Sequence, residues 1–269
     1  MSVSSSLSFP NRTSSLRIAL AGQRWISPLV IVLLWELGSR LGVIPTRILA
    51  APSAVLQTAW DMIVSGELPS NMLVSLARAL TGLALGVGVG SALAVVSGLT
   101  RSGENVVDPP IQMLRTLPSL ALTPLFIVWF GIGETPKVAL IALGTTFPIY
   151  LNLYNGIRGV DPKLIEAARS FGLKGWSLVW SIVLPAALPS FLLGLRFALA
   201  GSWLILVVAE QINASAGLGY LINNARDFSR TDVIVVCLMV YALLGLSADA
   251  IVRTLERYAL AWRPSFIKT

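Results

Sequence analysis

Long apolar runs alternate with short polar segments along most of the chain. A membrane-spanning helix needs about 20 mostly apolar residues, and about six runs approach that length. The predicted spans cover residues 26–44, 75–99, 112–131, 137–157, 186–209 and 233–252. The pattern therefore predicts an all-α polytopic membrane protein with about six transmembrane helices.

Two of the predicted spans contain residues whose spacing has a structural meaning. Glu36 and Arg40 lie four apart in the first span, acid first, so that they can pair on one helix face. Gly82, Gly86 and Gly90 in the second span also recur every four residues and share one face. Because lipid provides no hydrophobic drive between helices, close backbone approach through small residues must supply the contact. We expect this glycine face to pack against another helix.

The positions of Lys and Arg predict the orientation in the membrane. With the N-terminus inside, most of the 20 basic residues fall on the inner side, Arg115 among them. Cytosolic segments of membrane proteins carry such an excess. We therefore expect both termini in the cytosol, with a tail of residues 1–24, a transmembrane domain of residues 25–264 and a second tail of residues 265–269.

Composition narrows the possible functions. Charged residues make up 12% of the chain, against about 25% in soluble domains. The net charge of +7 is scattered between apolar runs and forms no stripe, which argues against nucleic acid. Basic loops that face anionic membrane lipid account for the excess. The chain has no histidine, and its one cysteine, Cys237, lies in an apolar run. We expect no catalytic residue, no bound metal and no cofactor in this chain.

The polar segment between the fourth and fifth predicted spans is the most informative part of the sequence. Asp161 followed by Pro162 is typical of a helix start, and Gly172 is typical of a helix end in the left-handed conformation. A second short amphipathic stretch, residues 176–184, stops at Pro185. The segment therefore predicts two short helices that form an elbow on the cytosolic side.

The same segment resembles the EAA loop of ATP-binding cassette (ABC) importer permeases. That loop reads Glu-Ala-Ala, three residues, Gly, nine residues and Ile-x-Leu-Pro, and residues 161–185 match every fixed position at this spacing. The matching residues are Glu166, Ala167, Ala168, Gly172, Ile182, Leu184 and Pro185. Residues from about 70 to 264 are similar to the type I importer permeases for aliphatic sulfonates and to their relatives for taurine and nitrate. The stretches that carry this similarity include 117–122, 129–134, 168–172, 194–196, 208–210, 216–220 and 262–266.

The resemblance implies that the chain works together with other subunits. Two copies of the permease pair in the bacterial inner membrane, two cytosolic ATPase subunits dock on their EAA loops, and a periplasmic or lipid-anchored binding protein delivers the solute. The seven EAA-loop residues are then the ATPase-coupling site. The sequence contains no G-x-x-x-x-G-K-[ST] phosphate-binding loop, so we expect ATP to be used by the partner subunit.

Arg196 is the main candidate for the solute path. It lies about ten residues into the fifth predicted span, and an ionisable group within a span is a functional candidate. Its guanidinium would offer a counter-ion to an anionic sulfonate; the alternative is a structural arginine that snorkels or bonds helix carbonyls. Glu210 and Gln211, near the outer end, either line the outer gate, receive the binding protein or simply end the helix. Further lining candidates are Asn152, Ser202 and Trp203.

Two other function classes and several substrates stay open on the sequence alone. An ion-driven secondary transporter would show inverted repeats and paired broken helices with coupling acids, and neither is visible in the sequence. A membrane-embedded enzyme would need catalytic groups clustered near one face, which the missing histidines and scattered acids do not favour. Aliphatic sulfonate is the first expectation for the substrate; taurine, nitrate and a thiamine-precursor-like heterocycle are the alternatives.

Overall fold

The computed structural model describes residues 13–262, with side chains described from Ile26 onward except Asn213. Within this range every regular element is helical, which confirms the all-α prediction. The helices are α1 (Thr13–Arg40), α2 (Pro52–Val64), α3 (Glu67–Leu99), α4 (Arg101–Leu114), α5 (Thr123–Phe130), α6 (Glu134–Arg158), α7 (Pro162–Ser170), α8 (Gly175–Leu178), α9 (Leu184–Asn213), α10 (Leu218–Asp227) and α11 (Thr231–Ala259). A 3₁₀ turn, Ser119–Leu122, precedes α5, and a π-helical turn, Val179–Val183, joins α8 to α9.

Four helical segments of the described chain are long and apolar enough to cross a membrane. They are α3, α6, the continuous stretch Gly175–Ile212 that includes α8 and most of α9, and α11. A bent pair, made of α4 and the segment Ser119–Phe130, gives a fifth if it counts as one span. The predicted count of six is not confirmed, because α1, which covers most of the predicted span 26–44, is not among these segments.

The predicted span 112–131 is not one continuous helix, because the chain bends sharply inside it. α4 ends at Leu114, and the segment that follows from Ser119 is turned by 86°. Pro118 lies at the bend. A proline disfavours the helical conformation for the residue before it, here Leu117, so the helix does not continue. Hydropathy reports only how apolar a run is and therefore did not reveal the bend.

The predicted stop at Pro185 is also wrong. The helix continues from α8 through the π-helical turn into α9, and Pro185 lies in the first turn of α9. A proline inside a helix removes one N–H and crowds the carbonyl four residues earlier. The π-helical turn widens the helix just before Pro185, which relieves this conflict and lets the chain run on without a break.

Glycines bring α3 and α6 into close contact. Gly82, Gly86 and Gly90 are all buried. A Cβ atom at Gly82 would lie 2.6 Å from Ile141 Cβ, and a Cβ atom at Gly90 would lie 2.7 Å from the Thr146 carbonyl oxygen. Any larger residue would therefore push the two helices apart. The predicted glycine face is confirmed, and its partner is α6.

α9 approaches α6 in a similar way. A Cβ atom at Gly194 would lie 2.8 Å from the Pro148 carbonyl oxygen. A Cβ atom at Gly156 would lie 2.7 Å from Ser190 Cβ. Since α3 also contacts α9, these three helices form the centre of the bundle.

The predicted ion pair at the end of α1 is confirmed. Arg40 Nε lies 2.6 Å from a Glu36 carboxylate oxygen. Glu36 also accepts hydrogen bonds from the Ser53 N–H and hydroxyl groups, at 3.0 and 2.9 Å. Because Ser53 belongs to α2, these bonds tie the end of α1 to the start of α2.

The bundle has two distinguishable ends. At one end α3 and α6 finish at Leu99 and Arg158, and α7 and α8 follow; we call this the α7 end. At the other end α6 begins at Glu134, α9 finishes, and α10 packs on α9 and α11; we call this the α10 end. Cys237 is fully buried in the core of the α10 end, as expected for a small apolar residue.

Candidate coupling loop and solute path

α7 begins with the cap that the sequence predicts. The Asp161 carboxylate accepts a hydrogen bond from the Lys163 N–H at 2.9 Å, and Pro162 occupies the first turn. The Lys163 N–H has no partner within the helix without this cap, and proline has no N–H to leave unpaired. The start of α7 is therefore fixed, and Glu166 follows one turn later.

α7 ends in a Schellman motif at Gly172. The φ angle of Gly172 is +87°, in the left-handed region that favours glycine. The Gly172 N–H donates to the Arg169 carbonyl at 2.9 Å, and the Leu173 N–H donates to the Ala168 carbonyl at 3.1 Å. The predicted helix end is confirmed, and these bonds set the direction in which the chain leaves α7.

The three residues of the Glu-Ala-Ala motif on α7 differ in exposure. Glu166 and Ala167 are exposed, but Ala168 is buried, so the two alanines do not share one exposed apex. Lys163 and Arg169 flank Glu166 in the sequence, yet neither forms an ion pair with it among the described residues. The Glu166 carboxylate therefore faces solvent, where a donor on another protein can reach it.

The exposed aromatic residues beside α7 are not predicted from the sequence. Phe171 is 88% exposed, and Trp176 and Trp180 are each 67% exposed. Trp176 and Trp180 lie four residues apart on one helical segment and so share a face. This spacing is the sequence signal that could have predicted the aromatic surface. Exposed apolar groups rimmed by polar residues mark contact surfaces. The α7 end is thus suited to bind a partner.

The other EAA-loop residues connect α7 to α9. Ile182 and Leu184 are partly buried, and Pro185 is exposed. Val183, between them, is buried in the same cluster as Tyr150 of α6. α7 packs against the π-helical turn that contains Ile182. A displacement of α7 would therefore move the start of α9.

Arg196 is paired with acids of α11. Its Nη2 lies 2.6 Å from a Glu256 carboxylate oxygen, and its Nε lies 3.7 Å from Asp249 Oδ1. Asp249 also pairs with Arg253 at 2.7 Å. The Arg196 charge is balanced within the chain, towards the α7 end of the bundle. The geometry favours the structural alternative for Arg196.

Glu210 lies in a buried hydrogen-bond network at the α10 end. Its side chain is 0% exposed. Its carboxylate accepts hydrogen bonds from the Ser75 hydroxyl at 2.7 Å, Arg78 Nη1 at 2.7 Å, the Gly219 N–H at 2.9 Å and the Tyr241 hydroxyl at 3.0 Å. These bonds join α3, α9, α10 and α11, so Glu210 holds helices together and its carboxylate is closed to a solute in this conformation.

Arg78 extends the network to the start of α6 and was not predicted as a site residue. Its guanidinium also pairs with Glu134 through two nitrogens, one of them at 2.7 Å, and donates to the Ala216 carbonyl at 2.7 Å. Lys137 Nζ donates to the Gly133 carbonyl at 2.8 Å. The sequence did contain a signal for this site, because Arg78 lies within a predicted apolar span and a charge in such a position requires partners.

The region from α3 to α11 matches a known protein family. Residues 84–259 match the family described as binding-protein-dependent transport system inner membrane component. The chain belongs to this family. The matched region includes α7 and Arg196, whereas α1 and α2 precede it. The chain is therefore a membrane component of a transport system and not an enzyme.

Relatives of this transport component extend the similarity to most of the chain. SsuC of Escherichia coli K12, named as an aliphatic sulfonates transport permease, is 50% identical over 242 residues, which cover 90% of this chain and 92% of that protein. SsuC of Bacillus subtilis 168 is 45% identical over 239 residues, 89% of this chain and 87% of that protein. The taurine transport system permease TauC of Escherichia coli K12 is 32% identical, over 87% of this chain and 86% of that protein.

Solved ABC transporters share the fold of the transport component. The crystal structure of an amino acid ABC transporter with histidines aligns with a TM-score of 0.60 at 19% identity, covering 70% of this chain and 92% of that chain. A chain of the MetNI methionine ABC transporter in an inward-facing conformation aligns with a TM-score of 0.58 at 21% identity, covering 71% of this chain and 97% of that chain. At these identities the likeness concerns the fold alone.

The remaining candidates for the path of this transport component are mostly enclosed. Ser202 and Trp203 are buried. Asn152 is partly buried, and its amide donates to the Pro148 carbonyl at 2.8 Å. Gln211 is exposed at the α10 end. Of these four, Gln211 alone presents its side chain to solvent here, and a role in the path stays a prediction for all four.

Proposed function

We propose that this chain is the permease of an ABC importer for aliphatic sulfonates. The observation that carries the proposal is the 50% identity with an SsuC protein over 90% of the chain. A second SsuC relative, at 45% identity, supports the same solute class. Similarity over 90% of the chain extends well beyond the coupling loop, so it bears on the solute path as well.

In this proposal the α7 end faces the cytosol, and both termini are cytosolic. The support is the concentration of basic residues at that end. They include Arg101, Arg158, Lys163, Arg169, Lys174 and Arg257. Cytosolic loops carry such an excess, and anionic lipid headgroups attract it.

The α7 end docks one cytosolic ATPase subunit. Glu166 offers a carboxylate to donors on the ATPase, while Phe171 and Trp176 offer exposed apolar area next to it. Buried aromatic anchors supply most of the energy of protein interfaces. ATP is bound and used by that partner, and this chain binds no cofactor. Closure of two ATPase subunits displaces α7, and the π-helical turn transmits the displacement to α9.

A second copy of the chain, lipid and a binding protein complete the assembly. Exposed apolar side chains on the bent segment, such as Met113 and Val128, support pairing with a second permease. Leu243 and Leu246 on α11 are exposed as well and contact lipid. A periplasmic or lipid-anchored binding protein delivers the solute to the α10 end.

Taurine is the second candidate substrate. The observation in its favour is the 32% identity with TauC over 87% of the chain. Taurine carries the same sulfonate group as the aliphatic sulfonates and adds an ammonium group. Both substrates therefore require recognition of one anionic head, and they differ in what the importer accepts at the other end of the molecule.

Uptake by the complete importer tests the proposed substrate. The permease is reconstituted in liposomes with its ATPase and its binding protein, and uptake of labelled ethanesulfonate is measured with taurine and nitrate as competitors. We expect uptake that requires both ATP and the binding protein, with taurine competing less well than ethanesulfonate. Uptake that persists without ATP and follows a proton gradient would identify an ion-driven transporter instead.

Two phenylalanines at opposite ends of the bundle test the docking site. Phe171 and Phe228 are both strongly exposed, but Phe228 lies at the α10 end. We expect Phe171→Ser to abolish co-purification of the ATPase with the permease, and Phe228→Ser to leave it unchanged. Retention of the ATPase by the Phe171 variant, or equal loss in both variants, would contradict docking at α7.

A further inference from the structure

Arg115 lies at the break that follows α4, and α4 runs alongside α6. Glu104 accepts a hydrogen bond from the Tyr154 hydroxyl at 2.7 Å, and Asp108 accepts one from the Tyr150 hydroxyl at 2.9 Å. Four residues along α4 thus correspond to four residues back along α6, so the two helices are antiparallel. Extending this register places Arg115 beside the middle of α6 and not at its cytosolic end, where the sequence pattern had put it.

The depth of the break in the membrane follows from its contact with α6. A Cβ atom at Gly144 would lie 3.7 Å from Ser119 Oγ, so the 3₁₀ turn touches α6 at this point. At 1.5 Å per residue, Gly144 is roughly 15 Å from the Glu134 end of α6 and roughly 21 Å from the Arg158 end. The hydrocarbon core is about 30 Å thick. Arg115 therefore lies near its middle, too deep for the side chain to snorkel to a headgroup.

The charge of Arg115 has no counter-ion within the described part of the chain. Its side chain is exposed, and no described carboxylate pairs with it. By contrast, Arg78, Arg196 and Arg253, which lie inside long helices, each meet a carboxylate at 2.7 Å or less. An unpaired arginine that faces lipid at the bilayer centre is strongly disfavoured. Arg115 must face water, an anion or polar groups of a second permease instead.

The backbone at the break also bears on its surroundings. The N–H groups of residues 115–117 donate to carbonyls within the chain, so the groups that need partners elsewhere are backbone carbonyl oxygens. Residues 115–118 lie outside regular helix and are exposed on this chain. Irregular backbone at membrane depth occurs only where protein covers it or where it borders a water-filled cavity, because lipid cannot satisfy its hydrogen bonds. The break therefore borders either the second permease or an aqueous path.

We infer that Arg115 lines the solute path and binds the anionic head of the transported molecule. The choice of anion rests on the proposed function. A sulfonate spreads one negative charge over three oxygens, and the planar guanidinium can donate two parallel hydrogen bonds to such a group. Arg115 thus has the role predicted for Arg196, whose charge is already balanced by Glu256 and Asp249.

Transport by Arg115 variants in the reconstituted importer is the first test. We expect Arg115→Gln to lower ethanesulfonate uptake about tenfold or more, the equivalent of one charge-assisted hydrogen bond. ATP hydrolysis stimulated by the binding protein should stay near the unmodified level, which shows that the complex is assembled. Arg115→Lys should retain part of the uptake, because lysine keeps the positive charge but lacks the planar pair of N–H donors of the guanidinium. Arg101→Gln, exposed at the start of the same helix, is the matched control and should change nothing.

Chemical labelling is the second test and does not depend on transport. Arg115→Cys adds a thiol to a chain whose native Cys237 is fully buried, so background labelling should be low. We expect the anionic reagent 2-sulfonatoethyl methanethiosulfonate to label the variant in the assembled complex. A thiol that stays unlabelled with and without ATP would overturn the inference.

The outcomes separate the two proposals. If the unmodified importer takes up ethanesulfonate and Arg115→Gln does so equally well, Arg115 does not bind the solute, and the proposed function stands. If the unmodified importer takes up no ethanesulfonate, the proposed substrate is wrong, and the sulfonate assignment for Arg115 is wrong with it. Labelling then still decides whether Arg115 borders the aqueous path.

Discussion

Glu210→Gln is expected to destabilise the permease strongly, because it breaks a buried network without changing the shape of the side chain. The Glu210 carboxylate accepts four kinds of donor, and its side chain is 0% exposed. An amide at this position has only one acceptor oxygen and directs an NH₂ group at other donors. Removing one partner of a buried ion pair costs about 3–5 kcal/mol, because the other charge stays buried.

Glu134→Gln is the matched control for this prediction. Glu134 pairs with the same guanidinium of Arg78, but its side chain is 58% exposed. Water can replace the lost interaction, so the cost should be at most about 1 kcal/mol. The same chemical change on two partners of Arg78 therefore compares a buried carboxylate that accepts from four groups with an exposed one.

The assay is the midpoint of thermal unfolding of the purified permease in detergent. By the scaling for soluble chains of similar length, the Glu210 variant should lose on the order of 10 °C and the Glu134 variant a few degrees at most. The double variant Arg78→Gln with Glu210→Gln should be less destabilised than the sum of the single variants, because neither charge is left alone. Equal shifts for the two glutamate variants would refute the assignment of a buried network.

Three further substitutions test the packing, the paired arginine and the coupling loop. Gly86→Ala should destabilise the bundle by about 1–3 kcal/mol, because its Cβ would lie 2.6 Å from the Ala142 carbonyl oxygen. The control Gly88→Ala, whose Cβ would meet no described atom within 4 Å, should be neutral or slightly stabilising. The midpoint of thermal unfolding measures both effects. Arg196→Gln should lower the stability of the permease, because Arg196 pairs with the acids of α11. It should leave the concentration dependence of ethanesulfonate uptake unchanged. A large rise in the concentration needed for half-maximal uptake would indicate that Arg196 binds the solute. Gly172→Ala should lower the folding stability by about 1 kcal/mol, because the φ angle at this position is +87°. It should also weaken the stimulation of ATP hydrolysis by the binding protein. Gly172→Asn should retain more of this stimulation, because asparagine tolerates the left-handed region.

Features that depend on neighbours in the chain were predictable from the sequence. The cap at Asp161 and the left-handed end at Gly172 follow from local hydrogen bonds and backbone sterics. The Glu36–Arg40 pair follows from one turn of helix. The glycine face of α3 was also predictable, because a repeat of four needs no knowledge of the partner helix.

Features that depend on distant segments were not predictable from one sequence. Arg196 and Glu256 are 60 residues apart, and neither spacing nor hydropathy indicates that α9 and α11 bring them together. The burial of Ala168 depends on how α7 packs against the π-helical turn. The bend at Pro118 was missed because proline is tolerated within membrane helices and does not by itself end a span.

The sequence by itself determined that this chain is helical, spans a membrane and contains a motif that resembles a coupling loop, because apolar run length, caps and motif spacing are all local properties. Only the tertiary structure decided which charges are neutralised within the chain and which are not. It paired Arg78 and Arg196 with acids from other helices. It brought Ser119, at the end of the break that contains Arg115, against Gly144 of α6 and left Arg115 without such a partner among the described residues. The physical reason is that the pairing and depth of a charge depend on which helix faces meet, and the packing of distant segments sets those contacts.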